Sequence, residues 1–400
     1  MSIRTPLRGN RDLFKAINRN VVLNIIRRER VLSRTQLTEL AGLSAGAVSQ
    51  IIGELIEDGW VLESGEGDYT GGRRQMLLRL NPEAGYAIGV KLMENRVVCA
   101  VTNFESQMLH YQDYAIQSGS EPDALCDALT EAITSLIREV KLSRDQFFGA
   151  GIGLAGVIHQ QTGVVHYSPF FGWKDVPLAS MLQERLGIPI YVENDVNTLT
   201  LSEHLFGSGR HHNNFVVVTV GRGVGMGMVI DGKLYQGARG GAGELGHIVL
   251  DLSLSQQDLP EDGSLETLAS DPAVLRMMRH TFQREDAAKL SDVVEAAAQG
   301  DAQAQEALAR SGEYLGVGLA AVVNMLCPNL LIISGEGVAA GDYRLQPMLR
   351  ALRRYTFNGL LDDVDVIIEP TDDRTWARGA ASLVMSKVFE SPRVEVQANK

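Results

Sequence analysis

Three short segments of this 400-residue chain combine carboxylates, an amide and an imidazole in a way suited to holding hydroxyl groups. Glu193-Asn194-Asp195 ends the apolar run Ile188-Pro189-Ile190-Tyr191-Val192. Gly243-Glu244-Leu245-Gly246-His247 follows, and Glu266 lies beyond the turn Asp262-Gly263-Ser264. Carboxylates accept hydrogen bonds from hydroxyls, while Asn and neutral His donate or accept. Brought together, such groups suit the ring of hydroxyls on a sugar. Each also has a plainer use: Asn194 can cap a helix and Glu244 can bond backbone.

Positioning these residues requires a large α/β scaffold, and the pattern beyond Pro82 supplies one. Residues 85–90, 97–102, 149–154, 164–166 and 188–192 read as strands, and 121–140 as a long helix. A second set follows, with strands at Phe215–Val220, 225–230 and Leu330–Ser334 and helices around 301–325. Two α/β sets imply a two-lobed fold with a cleft. The composition agrees, since 45% hydrophobic and 22% charged residues are those of a globular protein. The longest apolar stretch, 315–327, is too short for a membrane span of about 20 residues. Met1-Ser2-Ile3-Arg4-Thr5-Pro6 lacks a signal-peptide core, so a cytoplasmic location with no membrane partner is expected. Cys99, Cys126 and Cys327 are too scattered for a disulfide framework or a metal knuckle.

Charge is divided unevenly. Residues 1–80 carry 12 Lys and Arg against 9 Asp and Glu, a balance of +3, which leaves -15 of the total -12 on the rest. A basic head on an acidic body directs any polyanion to the head.

That head reads as a winged helix-turn-helix. Phe14, Ile17, Val21, Leu23 and Ile25 mark an amphipathic helix over 11–29. Ser33 has N-cap chemistry for a second helix, Arg34–Ala41, with Leu37 and Leu40 inward. Gly42 ends it, and Ser44 caps a third helix running to about Asp58, with Val48, Ile51, Ile52 and Leu55 buried. The second member of such a pair enters the major groove. Ser44, Ala45, Gly46 and Ser49 are small enough to let it sit deep, and Gln50 can pair with an adenine edge. Arg34 joins this DNA-binding set. Strand-like runs at 60–63 and 75–80 then form a wing, whose Gly71, Gly72, Arg73 and Arg74 suit phosphates or a narrow minor groove. The alternative is a small helical protein-interaction module.

Taken together, Glu193-Asn194-Asp195, Gly243-Glu244-Leu245-Gly246-His247 and Glu266 resemble the sugar site of the ROK family, which holds bacterial sugar kinases and sugar-responsive repressors. The head resembles that of ROK repressors, including their Gly-Gly-Arg-Arg wing, and the resemblance runs through nearly the whole chain. It implies an actin-like, hexokinase-type body, with Asn194, Asp195, Glu244, His247 and Glu266 contacting sugar hydroxyls. A further family position usually offers Asn, where this chain has Phe170. Trp173 nearby suits either stacking on a sugar face or the core.

The chain departs from the family's enzymes at two places. ROK kinases end the first strand in D-x-G-G-T-K, whose acid handles magnesium and whose glycines let backbone approach ATP. Here the segment is Lys91-Leu92-Met93-Glu94-Asn95-Arg96. The second phosphate loop, Val220-Gly221-Arg222-Gly223-Val224-Gly225, keeps its glycines, although a tight hairpin explains them as well. Asp195 matches the kinases' catalytic base, but a base without a phosphoryl donor cannot run the reaction. ROK proteins also commonly close a zinc site with the His of Gly-Glu-Leu-Gly-His and three cysteines. No cysteine occurs in 248–266. Asp251, Asp258, Glu261 and Asp262 near His247 read as a solvated loop, and Leu250, Leu252, Leu254 and Leu259 as packing anchors in place of zinc.

The expected protein is therefore a transcriptional regulator, a repressor by preference, without enzymatic activity, metal or cofactor. Its expected partners are operator DNA, a carbohydrate effector and further copies of itself, as a homodimer or tetramer. The expected organisation is a DNA-binding domain over 1–80, a first lobe over 81–195 completed by 376–400, and a second lobe with dimerisation helices over 196–375. The alternatives are a ROK sugar kinase with an appended DNA-binding domain and a regulator controlled by a protein partner.

Overall fold

A computed structural model describes residues 10–66, 75–117, 119, 121–253 and 263–392. The chain forms two compact units, residues 1–211 with 376–400 and residues 212–375. The helix that follows Asp195 thus stays with the first unit.

The first unit opens with the three helices of the head, α1 (Asn10–Glu29), α2 (Arg34–Ala41) and α3 (Ala45–Glu57). Local chemistry sets their ends. Ser33 accepts from the Gln36 amide while the Gln36 side chain accepts from the Ser33 amide, a reciprocal capping box. Gly42 closes α2 in the left-handed conformation, at φ 62. Ser44 then accepts from the Ala47 amide to cap α3. Strands β1 (Leu32–Ser33), β2 (Val61–Glu66) and β3 (Met76–Leu80) complete the winged fold in the order β1-β3-β2. The wing tip, with Gly71, Gly72, Arg73 and Arg74, lies outside the described residues.

Two expectations for the head need correction. Leu40 is 51% exposed and Phe14 59% exposed, rather than inward. The single turn of α2 that meets the core presents Leu37, and α1 buries Val22, Leu23, Ile25 and Ile26 near its C-terminal end instead. These residues share one apolar cluster with Val48, Ile51, Ile52 and Leu55 of α3, as expected for that helix.

The rest of the first unit is a five-stranded sheet. A meander, β4 (Tyr86–Leu92), β5 (Arg96–Thr102) and β6 (Met108–Ala115), is followed by helix α4 (Pro122–Val140). Strand β7 (Phe147–Leu154) pairs parallel to β4, giving the order β11-β7-β4-β5-β6. A small sheet of β8 (Val157–Ile158), β9 (Val165–Ser168) and β10 (Trp173–Val176) and helix α5 (Leu178–Leu186) lead to β11 (Ile190–Asn194) and α6 (Asp195–Leu205). Helices α4 and α5 cover one face through Leu129, Ile133 and Leu182. The C-terminal helix, Asp373–Phe389, packs on this sheet so closely that a Cβ on Gly89 or Gly151 would collide with its backbone at Ala377 or Ala380.

The second unit repeats the plan. A meander of β12 (Phe215–Val220), β13 (Val224–Ile230) and β14 (Lys233–Leu234) is joined by parallel β15 (Leu330–Ser334) and β16 (Asp365–Ile368), in the order β14-β13-β12-β15-β16. Its helices are α7 (Leu265–Ala269), α8 (Asp271–Arg276), α9 (Leu290–Ala298), α10 (Ala302–Leu326) and α11 (Asp342–Tyr355). Arg344 of α11, fully buried, pairs with Asp271 of α8 at 2.7 Å. No helix among the described residues is long and apolar enough to cross a membrane.

Candidate DNA-binding face and effector-site residues

Most of the residues expected to face DNA lie at the start of α3. Ser44, Ala45, Gly46, Ser49 and Gln50 are all exposed, and nothing lies within 4 Å of where a Cβ on Gly46 would stand. Two members of the set are already engaged. Gln50 Nε2 donates to Glu54 Oε1 at 3.1 Å, and Arg34 Nη2 pairs with Glu63 of β2 at 2.9 Å. Lys15 and Arg19 of α1, which the sequence left unassigned, pair with Glu54 of α3 and with Asp58, its C-cap. The Lys15 bond, then that of Gln50, holds the Glu54 carboxyl below the usual carboxylate range. These ions tie α1 to α3, so they are not simply a reserve of phosphate contacts.

In the first unit, Asn194 and Asp195 sit where β11 turns into α6. Asn194 caps that helix, accepting from the amides of Val196 and Asn197, and its Nδ2 donates to the Gly156 carbonyl at 3.1 Å. Its plainer use is therefore realised. Asp195 Oδ1 accepts from the Val196 amide at 2.9 Å, and Oδ2 forms an ion pair with the Lys91 ammonium. Lys91 is the penultimate residue of β4, within the segment that departs from the kinase pattern, and its Nζ stands 4.3 Å from the centroid of the Trp376 ring. The pair is largely buried, with the two side chains 10% and 13% exposed. Nothing local in the sequence signals it, beyond the oddity of a lysine where an acid is usual. Glu193 is buried beside them, and burial pushes its carboxyl up to about 7 against hydrogen bonds from Asn197 and the Asn194 amide.

In the second unit, Glu244 precedes and His247 ends a short 3-10 turn, and both face solvent, with His247 Nε2 3.8 Å from Glu244 Oε2. Glu266 opens α7, and its Oε2 accepts from the Val224 amide at 2.9 Å. Gly246 packs beside Glu266, where a Cβ would come within 3.3 Å of that side chain. The segment Gly221–Gly223 is the hairpin between β12 and β13, closed by Gly221 N to Gly223 O at 3.0 Å. Its glycines admit carboxylates: a Cβ on Gly221 would stand 2.5 Å from Glu336 Oε2, and one on Gly223 2.5 Å from Glu266 Oε2. Two carboxylates at this turn repel a phosphate chain.

Neither implied cofactor fits. At the first phosphate loop, Lys91 offers a cation where magnesium needs an acid, and Met93 packs against Val98, Ala100 and Ala377. For zinc, His247 is the sole imidazole or thiolate donor of its segment, and no cluster of three metal-ligating residues occurs among the described residues. Backbone pairing fastens the segment instead: Leu250 and Asp251 donate to the Gly263 carbonyl and Leu265 to that of Ile248. Leu250 packs on the core, but Leu252 is 71% exposed and is no anchor. Leu254, Leu259, Asp258, Glu261 and Asp262 lie outside the described residues. Trp173, 5% exposed and stacked on Phe171 at 4.6 Å, belongs to the core.

A capped winged helix ahead of a duplicated α/β body, with Lys91 paired to Asp195, defines a DNA-binding regulator built on a sugar-kinase scaffold. The chain belongs to the ROK family, which it matches over residues 87–387, and residues 18–61 match a winged helix-turn-helix DNA-binding family. It is 30% identical to the xylose repressor of Bacillus spizizenii over 96% of this chain and 98% of that one. It is 28% identical to the DNA-binding transcriptional dual regulator NagC of Escherichia coli, with 94% of each covered. The crystal structure of a ROK family transcriptional regulator homologous to Escherichia coli MLC superposes with a TM-score of 0.81 at 24% identity, covering 94% of this chain and 97% of that one. The matches span nearly the whole of each chain, and this chain is a transcriptional regulator rather than a kinase.

Proposed function

We propose that the chain is a cytoplasmic repressor that binds an operator through α3 and the wing and senses a monosaccharide or simple derivative through Asn194, Asp195, Glu244, His247 and Glu266. The Lys91–Asp195 ion pair carries this reading. It leaves the family's sugar-contacting carboxylate in place while a lysine from the altered phosphate-loop segment occupies one of its oxygens, so the body keeps recognition without a phosphoryl donor to turn over. The xylose and N-acetylglucosamine repressors named among its relatives support a monosaccharide as the effector class. A homodimer fits the head, since paired recognition helices match a palindrome about one DNA turn apart.

Selection of genomic fragments by the purified full chain tests the DNA half, with a palindromic consensus expected. Calorimetry against xylose, glucose, N-acetylglucosamine and its 6-phosphate tests the sensing half. Heat from one of them, abolished by Glu244→Gln or His247→Ala, is the expected result. Sugar phosphorylation by the purified protein would overturn the reading.

A further inference from the structure

Two helices of the first unit start at one ion pair and end on the DNA-binding head. Helix α6 begins with Asp195, partner of Lys91, and the C-terminal helix carries in its first turn Trp376, over whose ring the same ammonium stands. At their far ends both offer carbonyls to α1. The carbonyl of Leu205, the last residue of α6, accepts from the Arg27 guanidinium, and that of Phe206 accepts from Arg30 at 3.2 Å. The carbonyl of Phe389, the last residue of the C-terminal helix, accepts from Asn20 at 3.1 Å and Asn24 at 2.9 Å. Arg27 also lies over the rings of Phe206 and Phe389, at 5.9 and 5.3 Å from their centroids.

The helix ends are natural seats for such donors, because unsatisfied carbonyls and the negative end of the dipole meet there. Between their ends the helices bear on one another without slack. A Cβ on Gly379 would come within 3.2 Å of the Leu199 backbone, and Gly153 packs against both Thr198 and Ala380. Helix α6 spans about 16 Å at the usual rise per residue. Packed helices thus connect Asp195 and Trp376 to α1, which shares its apolar cluster with α3.

We infer that Lys91 and Arg27 are positioning residues of a relay through which the state of Asp195 is read at α1 of the head. This rests on Asp195 being an effector residue, as proposed above. A sugar hydroxyl that takes the Asp195 carboxylate competes with the Lys91 ammonium. Displacing Lys91 also removes its charge from the Trp376 ring. Both helices are then released at their starting ends, which loosens the hold of their far ends on α1, and a ligand that favours the released form shifts the head.

Hydrogen exchange on the full chain tests the relay without any sugar. Lys91→Met should raise amide exchange in residues 20–29 by about tenfold and leave residues 212–375 unchanged. Lys91→Arg should restore protection, because a guanidinium can pair with Asp195 again. In an Arg27→Gln background the added effect of Lys91→Met should fall below about twofold. Should Lys91→Met fail to fold, Asp195→Asn, which removes the charge and keeps the shape, is read in the same way. Unchanged exchange in residues 20–29, or an equal increment with and without Arg27, overturns the relay. The sugar calorimetry is scored separately: heat without an α1 response removes only the relay, and an α1 response without heat removes only the effector reading.

Discussion

Replacing Glu193 with Gln should flatten part of the protein's pH dependence. The folded protein holds this carboxyl at about 7, against 4.5 for an unperturbed glutamate, chiefly because burial disfavours its charged form. Between those values the folded state binds more protons than the unfolded one, so stability falls as pH rises. Relative to a group that never titrates, the two values place a penalty of about 3 kcal/mol on the wild type at pH 8 and about 1 kcal/mol at pH 5. Gln carries no charge at either pH, and its carbonyl oxygen can still accept from Asn197 and the Asn194 amide, as Glu193 Oε1 does. The difference in unfolding free energy between variant and wild type should therefore be about 2–3 kcal/mol more favourable to the variant at pH 8 than at pH 5. Urea titrations of both proteins at the two pH values measure it, and any loss from the altered hydrogen bonding cancels between them. A difference independent of pH would show that Glu193 is ionised in the folded protein at neutral pH and that burial does not govern it.

Gly89→Ala should lower stability by at least ~1–3 kcal/mol, because the new methyl meets backbone of the C-terminal helix and neither side can yield cheaply; thermal unfolding reports it. Gly46→Ala should do the reverse, adding up to ~1 kcal/mol through helix propensity while weakening operator binding. Unaltered binding by that variant would remove Gly46 from the DNA-facing surface. Operator affinity should fall by ~10³ between low and physiological salt. Replacing Arg73 and Arg74 together by Ala should make that dependence shallower, and an unchanged slope in a salt titration would remove them from the phosphate contacts.

How far the sequence could be read depended on the range of the interaction. Ser33, Gly42 and Ser44 announce the helices they bound because a cap is made within three or four residues, and the stripe Val48, Ile51, Ile52 and Leu55 follows from helical period alone. The alternating strands and the class of fold were legible for the same reason. Orientation against distant neighbours was not. Phe14 and Leu40 satisfy the period and are exposed, because the period says which residues share a face and not which turns of that face are covered. Leu252 misled in the same way. At the site, the residue types pointed to hydroxyl chemistry, and the loss of the kinase loop was visible from Lys91 and Met93. That Lys91 turns to Asp195 requires a contact across two strands of a sheet, and no local pattern encodes it. The bond from Arg27 to Leu205 is of the same kind.

The apolar cluster that holds α1 to α3 also contains Phe104, Leu205, Val384, Met385, Val388 and Phe389. The head is thus not a detachable module. Cut after Leu80, it would expose the side of α1 that carries Ile26, and with it the donors Asn20, Asn24 and Arg27. A fragment of that kind should be prone to aggregate. A chimera that grafts this head onto another regulator inherits the same debt, because part of its core is written at the opposite end of the chain. A graft that carries the C-terminal helix along with the DNA-binding helices should therefore keep a packed core where a graft of the head alone does not.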